Sequence, residues 1–292
     1  MFQKWKEKAI VNGIEKEIEI RKDGYWERRC RIIQRAGLEL TKEEDFSDLI
    51  NKECIFCHPE KLAKFEFGML ENNFAFLFPN INPYAEYSSV CAFKKHFIMP
   101  NEFSAQLIQK NLELCVEYIN KIKAKYVSIN WNYLMPSGAS ILHPHLQVVG
   151  SKYPTTYMEK AEKIEFEKYL EEEKRSKRYI GKIGNIEIFS PFVPFGFNEI
   201  VGIAKGNIFD EYKEIAKAIE KIILFYASIR RNSFNICIYI GNKFPLHFRC
   251  ITRQNMVKYY RNDSMFFERL HEEVILEKRP EEVAKEFILF QQ

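Results

Sequence analysis

The order of the secondary-structure signals is the feature that most constrains the fold, because the same order occurs twice along the 292 residues. Each copy consists of a strand pattern, a helical pattern and two further strand patterns. In the first half these lie at 88–93, 104–122, 126–131 and 146–149. In the second half they lie at 198–203, 207–228, 233–239 and 246–251. The repetition indicates a diverged internal duplication, and two helix-on-sheet units predict an α+β fold with mainly antiparallel sheet.

A charged segment separates the two copies. Residues 158–178 interleave acidic with basic side chains, which is typical of a solvated helix rather than of a nucleic-acid patch. We therefore predict three parts. They are an N-terminal unit at 1–157, a charged helical linker at 158–184 and a C-terminal unit at 185–292.

Composition excludes several classes of protein. Apolar residues make up 46% of the chain and aromatic residues 15%, which is enough for a large core and excludes global disorder. No stretch reaches the roughly 18 consecutive apolar residues that a membrane span needs, so we expect no transmembrane helix. The net charge of +4 is too balanced to indicate nucleic-acid binding by itself. The first 20 residues are charged throughout, so we expect no secretory signal and a cytoplasmic protein.

Five of the seven cysteines are isolated, and four of these five lie in apolar runs. Those that lie singly in apolar runs are expected to be small buried hydrophobes. They are Cys91, Cys115, Cys237 and Cys250. Cys54 and Cys57 instead form a Cys-x-x-Cys pair, which in a reducing compartment indicates a metal or redox site. Zinc commonly takes four Cys or His ligands, and the histidines that could complete such a site are His58, His96, His143 and His145.

The segment His143-Pro144-His145-Leu146-Gln147 is the most informative in chemical terms. In an extended strand the two histidines and Gln147 point to one face. The preceding loop, residues 135–140, contains Pro, Gly and Ser and offers backbone N–H groups and a hydroxyl to a phosphate. A neutral imidazole can attack phosphorus when its other nitrogen keeps the proton and is held by a carbonyl. Gln147 can donate to a phosphoryl oxygen. The alternative is that two histidines at a strand edge only satisfy local hydrogen bonds.

Four motifs, taken in order, resemble those of the galactose-1-phosphate uridylyltransferase family, a branch of the histidine-triad superfamily. They are Cys54-Ile-Phe-Cys57, Asn72-Asn73-Phe74-Ala75, Lys95-His96-Phe-Ile-Met-Pro100 and Gly138-Ala-Ser140-Ile-Leu-His143-Pro-His145-Leu-Gln147. The resemblance covers about residues 30–290, and its specific part is the His-Pro-His-x-Gln block. It implies two histidine-triad-like lobes, the second of them degenerate.

The resemblance also implies roles for individual residues. One structural zinc would be held by Cys54, Cys57, His96 and His143. His145 would attack the α-phosphorus of a nucleoside diphosphate compound, while Gln147 and Ser140 hold phosphoryl oxygens. The substrate-binding residues would be Arg35, Asn72, Asn73, Asn132 and Gly138.

The implied function is that of a nucleotidyltransferase in carbohydrate, and in particular galactose, metabolism. It would move a nucleoside monophosphate group from a nucleoside diphosphate sugar or related nucleotide to a sugar phosphate or phosphate acceptor, through a nucleotidyl-His145 intermediate. The alternatives are a phosphorylase or hydrolase of ADP-sugars or diadenosine polyphosphates, and a nucleotide-binding protein without turnover. No nucleic-acid or membrane partner is expected. Members of the family are commonly dimers, so the resemblance is compatible with a homodimer.

Three departures from the family pattern bear on the substrate and the metal content. Asn73 stands where the family has an aspartate, which would change base or ribose recognition. Gly206-Asn207 stands where the first histidine of a second metal site is expected, which leaves His247 alone and argues against a second metal. The segment 267–273 lacks the aromatic and glycine pattern of hexose-phosphate-binding members. Within it, Arg269 and His271 either bind another phosphate-bearing acceptor or belong to an ordinary polar helix face.

Overall fold

The strands of this protein form two sheets. The structure, a computed structural model, describes residues 1–33, 50–257 and 266–292. Within these ranges the strands are β1 Phe2–Val11, β2 Ile14–Asp23, β3 Arg28–Ile33, β4 Leu70–Glu71, β5 Ala75–Pro79, β6 Tyr87–Phe93, β7 Tyr126–Tyr133, β8 His145–Ser151, β9 Tyr179–Ile183, β10 Ile186–Phe189, β11 Phe197–Ala204, β12 Phe234–Ile240, β13 His247–Thr252 and β14 Glu273–Leu276. The α-helices there are α1 Ala105–Lys121, α2 Thr156–Ala161, α3 Phe166–Lys174, α4 Ile208–Ser228, α5 Phe266–Leu270 and α6 Pro280–Phe290.

Ten strands form one continuous antiparallel sheet, in the order β4-β5-β6-β8-β7-β12-β13-β11-β10-β9. Each half of the chain contributes five of them, and the two sets follow the same order outward from the centre. β7 and β12 pair there, from Phe234 opposite Tyr133 to Ile240 opposite Val127. The predicted α+β fold of two related antiparallel units with packed helices is confirmed, and the two units share a single sheet.

Each of the two long helices begins after a residue whose side chain caps its first turn. α1 follows Ser104, whose hydroxyl accepts a hydrogen bond from the backbone N–H of Leu107. α4 follows Asn207, whose side-chain oxygen accepts from the backbone N–H groups of Phe209 and Asp210. Each cap satisfies donors that the first turn of a helix would otherwise leave unpaired. The helices therefore start at the same point in both copies of the repeat.

The two faces of the ten-stranded sheet differ in chemistry. Side chains alternate along a strand, so one face carries Ile129, Trp131 and Val148, which are buried in one core with α1 and α4. The opposite face, here called the site face, carries Asn130 and Gln147, which are paired across β7 and β8. Each large apolar side chain buried under the helices stabilises the fold by roughly 1.5–3 kcal/mol. The helix side thus holds the sheet together and leaves the site face free for polar groups.

The charged segment between the two halves differs from the prediction of one solvated helix. Residues 158–184 contain most of α2, all of α3 and strand β9. Tyr169 and Glu173 of α3 are fully buried, and Met158 packs with Tyr169 and Trp26 in one cluster on the site face of the second half. Charged side chains outnumber apolar ones here, so the apolar period of these short helices is hard to detect. The division of the chain at 157 and 185 stays a prediction.

A second sheet joins the two ends of the chain. Residues 1–30, which the sequence patterns leave unassigned, form the β1–β2 hairpin and the start of β3. β14 pairs with β3 in parallel, which gives the order β1-β2-β3-β14. The buried guanidinium of Arg21 donates to both carboxylate oxygens of Glu281 in α6, at 3.0 and 2.8 Å. The last helix is therefore fixed to the first hairpin.

Composition led us to expect no transmembrane helix and mostly buried, isolated cysteines. None of the helices in the described part of the chain has both the length and the hydrophobicity to cross a bilayer. The seven cysteines are free thiols, and Cys91, Cys115 and Cys250 are buried as expected. Cys237 differs, because it is half-buried on the site face. Its apolar neighbours Ile236 and Ile238 point to the other side of the sheet, which a run of letters does not reveal.

Candidate active site and metal centre

Four sulfur and nitrogen atoms meet at one edge of the site face. Cys54 and Cys57 belong to a short 3-10 turn, Ile55–Cys57 with Cys54 as its cap. His96 follows β6, and His143 precedes β8. One ligand atom from each of these residues lies within 4.8 Å of all the others. The structure therefore brings together the four residues that the resemblance implies as metal ligands.

The distances within this cluster fit a tetrahedral ion. Zinc–sulfur bonds of about 2.3 Å and zinc–nitrogen bonds of about 2.0 Å give a tetrahedron with S–S edges of about 3.8 Å and S–N edges of about 3.5 Å. Cys54 Sγ lies 3.8 Å from Cys57 Sγ and 3.5 Å from His143 Nδ1. The other sulfur–nitrogen distances are 3.8, 3.0 and 3.7 Å. Two thiols and two imidazoles are also a donor set that zinc prefers, so the cluster can hold a metal ion.

His143 is oriented for ligation by a backbone carbonyl. Its Nε2–H donates to the carbonyl of Phe93 at 2.6 Å. This bond leaves the lone pair on Nδ1, the atom that faces the sulfurs. Burial lowers the pKa of His143 to about 4, against the opposing effect of the bond to Phe93. The ring is therefore neutral near pH 7, as a metal ligand must be.

His145 is the first residue of β8, and the backbone of His143 holds it. Its Nδ1–H donates to the His143 carbonyl at 2.9 Å, so its lone pair lies on Nε2. Burial lowers the pKa of His145, which keeps the ring neutral. Phe56, from within the cysteine pair, packs edge-on against it with ring centroids 5.2 Å apart. These contacts fix the ring and leave one nucleophilic nitrogen.

Amide side chains lie on the same side of the sheet as this nitrogen. Gln147 Nε2 is 3.4 Å from His145 Nε2. The last registered pair of β7 and β8 is Trp131 with Leu146, so the next residues along the two strands are Asn132 and His145. Both Gln147 and Asn132 are half-buried. A ligand on the site face can therefore reach their N–H groups.

The loop after β7 is compact and strained. Leu134 has a φ of +65°, which is rare for a bulky residue. Met135–Ser137 then form a 3-10 turn that ends at Gly138 with a φ of +91°, a conformation that glycine adopts without a steric penalty. A Cβ added at Gly138 would lie 3.9 Å from Asn132 Nδ2, so the loop passes directly beside that amide. Gly138 and Ser140 are exposed and can meet a phosphate.

Asn72 has a different set of contacts from those of the loop residues. Its Oδ1 accepts from the backbone N–H groups of Phe74 and Ala75, and its Nδ2 donates to the carbonyl of Lys110 in α1. The side chain is thus committed to the turn before β5 and to the helix side of the sheet. Asn73 is exposed next to it. A nucleoside-binding role for either residue stays a prediction.

The remaining sequence candidates lie outside this cluster. Arg35 falls outside the described residues, so its role stays a prediction. His58, a metal candidate from spacing alone, contacts Glu53 at 3.1 Å near the surface. His271 follows α5, where its ring lies 5.0 Å from that of Phe267. The part that Arg269 and His271 play stays open.

His247 occupies in the second half the place that His145 has in the first. It is the first residue of β13, and its Nδ1–H donates to the carbonyl of Pro245 at 2.7 Å. The hydroxyl of Tyr157 lies 2.8 Å from its Nε2. β13 and β8 are separated by β7 and β12. His247 is therefore part of a separate, buried cluster.

Arg249 stands in that cluster where Gln147 stands in the first half. Its Nη1 donates to Glu199 at 2.6 Å, and its guanidinium lies 4.6 Å from the ring centroid of Trp26 and 4.2 Å from that of Phe195. These groups fill the space above the sheet. Arg249 and Glu199 are buried, so the described residues of this half leave no open polar surface at the equivalent position.

Two residues that lie close to His145 or Asn132 are hard to recognise as site residues from the sequence. Phe56 reads as an ordinary apolar residue between two cysteines. Asn235 lies in β12 directly opposite Asn132, and it reaches the cluster only because β7 pairs with β12. Patterns within either half do not specify that pairing. A lone amide inside the apolar run 234–238 is the one signal that could have marked Asn235.

The sequence has a relative in Archaeoglobus fulgidus. It is an uncharacterized protein that is 31% identical over 313 residues, covering 96% of this chain and 94% of the relative. The chain belongs to the same family as this archaeal protein. No family model matches the sequence.

Several solved structures share that fold. An ADP-glucose phosphorylase from Arabidopsis thaliana, solved with bound ADP-glucose, matches with a TM-score of 0.71 and 16% identity, over 93% of this chain and 98% of that one. A GalT-like protein from the same plant matches with a TM-score of 0.69 and 16% identity, over 92% and 98% of the two chains. A uridylyltransferase matches with a TM-score of 0.62 and 16% identity, over 93% and 98%. The fold that the resemblance implies is therefore confirmed, because the chain shares the fold of these uridylyltransferase-like structures over more than nine tenths of its length.

Proposed function

We propose that this protein is a nucleotidyltransferase that moves a nucleoside monophosphate group from a nucleoside diphosphate sugar to a phosphate acceptor through a covalent nucleotidyl-His145. The observation that carries the proposal is the state of His145. Its neutral ring donates Nδ1–H to a carbonyl at 2.9 Å, and its Nε2 keeps a lone pair that meets only the long contact, 3.4 Å, with the Gln147 amide nitrogen. An imidazole that attacks phosphorus needs this arrangement.

Two displacements account for the transfer. In the first, Nε2 of His145 forms a bond to the α-phosphorus, and the bond from that phosphorus to the oxygen bridging to the β-phosphate breaks. The sugar 1-phosphate leaves with the electron pair, and the Nδ1 proton stays on the ring. In the second, an oxygen of the acceptor phosphate bonds to the same phosphorus, the phosphorus–nitrogen bond breaks, and neutral His145 is restored. Ping-pong kinetics follow from this scheme.

Donors beside Nε2 would stabilise the charge that develops on the phosphoryl oxygens. Gln147 offers an amide N–H next to the nucleophile, and Asn132 offers another from β7. The exposed loop residues Gly138 and Ser140 add a backbone N–H and a hydroxyl. Removal of one donor of this kind typically lowers the rate by about 10²- to 10³-fold. The set explains why this half of the sheet carries amides instead of apolar residues.

The metal would act as a scaffold. Zinc held by two thiolates and two imidazoles is four-coordinate with no open position, which is typical of a structural site. It would fix the backbone of His143, whose carbonyl holds His145. It would also fix the turn that carries Phe56, which packs against the same ring. Metal loss should therefore weaken catalysis without removing a reacting group.

The acceptor distinguishes two candidates within this chemistry. A sugar phosphate would make the protein a transferase, and inorganic phosphate would make it a phosphorylase. The second candidate is supported by the fold shared with the Arabidopsis ADP-glucose phosphorylase, at a TM-score of 0.71. The bound ADP-glucose of that structure also supports a nucleoside diphosphate sugar as the donor class.

A labelling experiment tests the nucleophile. UDP-glucose, UDP-galactose and ADP-glucose, each radiolabelled at the α-phosphate, should give wild-type protein an acid-labile, base-stable label, and His145→Ala should give none. Glucose 1-phosphate, galactose 1-phosphate or inorganic phosphate should then discharge the label, and the one that does so identifies the reaction. A labelled His145→Ala protein contradicts the proposal. Nucleotide binding without a label from any donor would instead indicate a binding protein.

A second experiment tests the metal. Wild-type protein should contain close to one equivalent of zinc by elemental analysis, and Cys54→Ser should contain almost none, because a thiolate ligand is lost. Cys237→Ser is the matched control, since it replaces another half-buried cysteine away from the cluster. Equal zinc in both variants would contradict the assignment of the site.

A further inference from the structure

We propose that Asn235, a residue of the second half, sets the amide orientation of Asn132 and thereby makes Asn132 a hydrogen-bond donor toward the phosphates. The proposal rests on the proposed function, in which Asn132 contacts a phosphoryl group. Asn235 is then a positioning residue, because it acts through Asn132 and contacts no reacting atom.

The orientation follows from a group that can only accept a hydrogen bond. The backbone carbonyl of Ser137 lies 2.8 Å from Asn235 Nδ2. A carbonyl has no proton to donate, so the amide of Asn235 must present its nitrogen there. The same nitrogen lies 2.8 Å from Asn132 Oδ1. Since it can only donate, Asn132 must present its oxygen to Asn235, and the nitrogen of Asn132 must point away.

The donor of Asn132 is thereby directed at the loop that precedes His143. Its Nδ2 lies 3.9 Å from the position of a Cβ on Gly138, an exposed glycine. Among the residues that the structure describes, none accepts a hydrogen bond from this nitrogen. A phosphate held by the loop would be the acceptor that is missing.

The contact between Asn235 and Asn132, here called the relay, is rigid because both residues lie on paired strands. Asn235 stands directly opposite Asn132 in the β7–β12 ladder, so the separation of the two amides is set by backbone hydrogen bonds. The bond to Ser137 also ties the loop to the same amide. One side chain of the second half therefore fixes two parts of the candidate site, a strand residue and a loop.

The equivalent pair in the same ladder lacks such a relay. When the two halves are superposed, Tyr239 corresponds to Asn132 and Ser128 corresponds to Asn235. Tyr239 and Ser128 are also directly opposite each other in the ladder. The Tyr239 ring stacks on His247, with centroids 5.0 Å apart. The amide pair is thus a feature of the half that carries His145, and not a property of the sheet.

Loss of Asn235 should weaken phosphate binding specifically. Without it the Asn132 amide can turn over and present its oxygen, which repels an anion, in place of its N–H. A hydrogen bond to a charged group changes affinity by about tenfold to a hundredfold. We expect Asn235→Ala to weaken binding of AMP or UMP by at least tenfold, and of adenosine or uridine by less than about threefold, because a nucleoside has no phosphate.

Isothermal titration with these four probes, run on a double-mutant cycle, tests the proposal. In the Asn132→Ala background, Asn235→Ala should change nucleotide affinity by less than about twofold, because the group through which it acts is gone. Cys237→Ser, on the same strand and face, is the matched control and should bind as wild type. If Asn235→Ala does not fold, Asn235→Leu keeps a side chain of similar size, removes the donor without adding a charge and carries the same expectation.

The outcomes separate this proposal from the transferase proposal. Additive losses in the cycle, or equal losses for nucleotides and nucleosides, overturn the role of Asn235 even where the His145 label forms. If no label forms on His145 but the double-mutant cycle gives the expected result, the transferase proposal is overturned and the role of Asn235 stands. Wild-type protein that binds neither AMP nor UMP contradicts both.

Discussion

The two halves of the molecule place the same residue in opposite environments. His145 and His247 each begin a strand, and each donates Nδ1–H to the carbonyl two residues earlier, at 2.9 and 2.7 Å. Burial lowers the pKa of both rings. Next to His145 lies the half-buried amide of Gln147, whereas next to His247 lie the hydroxyl of Tyr157 and the guanidinium of Arg249.

The difference separates what the fold contributes from what a reactive site needs. The strand–loop–strand frame alone orients an imidazole and keeps it neutral, because both halves do this. A reactive ring also needs an Nε2 that a substrate can reach. That of His145 meets a half-buried amide at 3.4 Å, whereas that of His247 accepts a short bond, at 2.8 Å, from the Tyr157 hydroxyl. A reactive ring further needs donors for an anion, whereas Arg249 is paired with Glu199. The second half also lacks a counterpart of the candidate metal ligand His143, because Pro245 stands at the equivalent position.

The largest expected contrast is between the two histidines. His145→Ala should lower the rate of nucleotidyl-enzyme formation by more than about 10³-fold, because the nucleophile is lost. His247→Gln should change it by less than about threefold, because that ring lies in a separate buried cluster. Rapid-quench measurement of labelled protein gives both rates. Similar losses in the two variants would show that the halves act as one site.

The next contrast is between Gln147 and Arg249. Loss of Gln147 should mainly lower activity, and loss of Arg249 should mainly lower the free energy of unfolding. Gln147→Ala should slow labelling by about 10²- to 10³-fold and change the free energy of unfolding by less than about 1 kcal/mol, since the side chain is half-buried. Arg249→Gln should lower the free energy of unfolding by about 3–5 kcal/mol, because Glu199 is left buried without its charged partner. Urea denaturation and the labelling rate measure the two effects. A stability loss at Gln147 with none at Arg249 would reverse the comparison.

The smallest expected effect is a pH dependence that comes from the second half. Burial lowers the pKa of His247 to about 3, while the unfolded value is about 6.5. Below about pH 6.5 the unfolded state binds a proton that the folded state does not, so stability falls as the pH falls. Between about pH 7 and pH 5 this residue should account for roughly 2 kcal/mol. His247→Gln should remove that part of the slope in urea unfolding, and parallel slopes for the two proteins would contradict it.

Much of the fold can be predicted from the sequence because its signals are local. The helical patterns predicted at 104–122 and 207–228 begin at the residues that cap α1 and α4, and the strand–helix order appears in both halves. The first 30 residues are harder, because the β1–β2 hairpin is mostly exposed and shows no clear apolar alternation. β14 is harder still, since its partner β3 lies more than 200 residues away along the chain. Long-range pairing leaves no pattern in a single sequence.

The candidate site shows the same division. The cysteine pair and the His-Pro-His segment are visible as short motifs, and the family resemblance adds His96 and the choice of His143 to the candidate metal ligands. Asn72 occupies a predicted position, yet its amide is committed to backbone groups. Asn235 could not be found from its motif context, because its role depends on the register of two strands from different halves. Short motifs in the sequence thus reveal candidate nucleophiles and metal ligands more readily than the residues that would orient them.

The pairing of β7 with β12 has a consequence for any attempt to divide the chain. A fragment that ends after β8 would leave the backbone N–H and C=O groups along one side of the eight-residue strand β7 without partners. Exposed edges of this kind promote aggregation, and Asn132 would lose the amide opposite it. Two fragments produced together should recombine, since each supplies the strand that the other lacks. The second lobe therefore does for the first what a partner subunit does in an assembly of separate chains, because its strand β12 covers the open edge of β7.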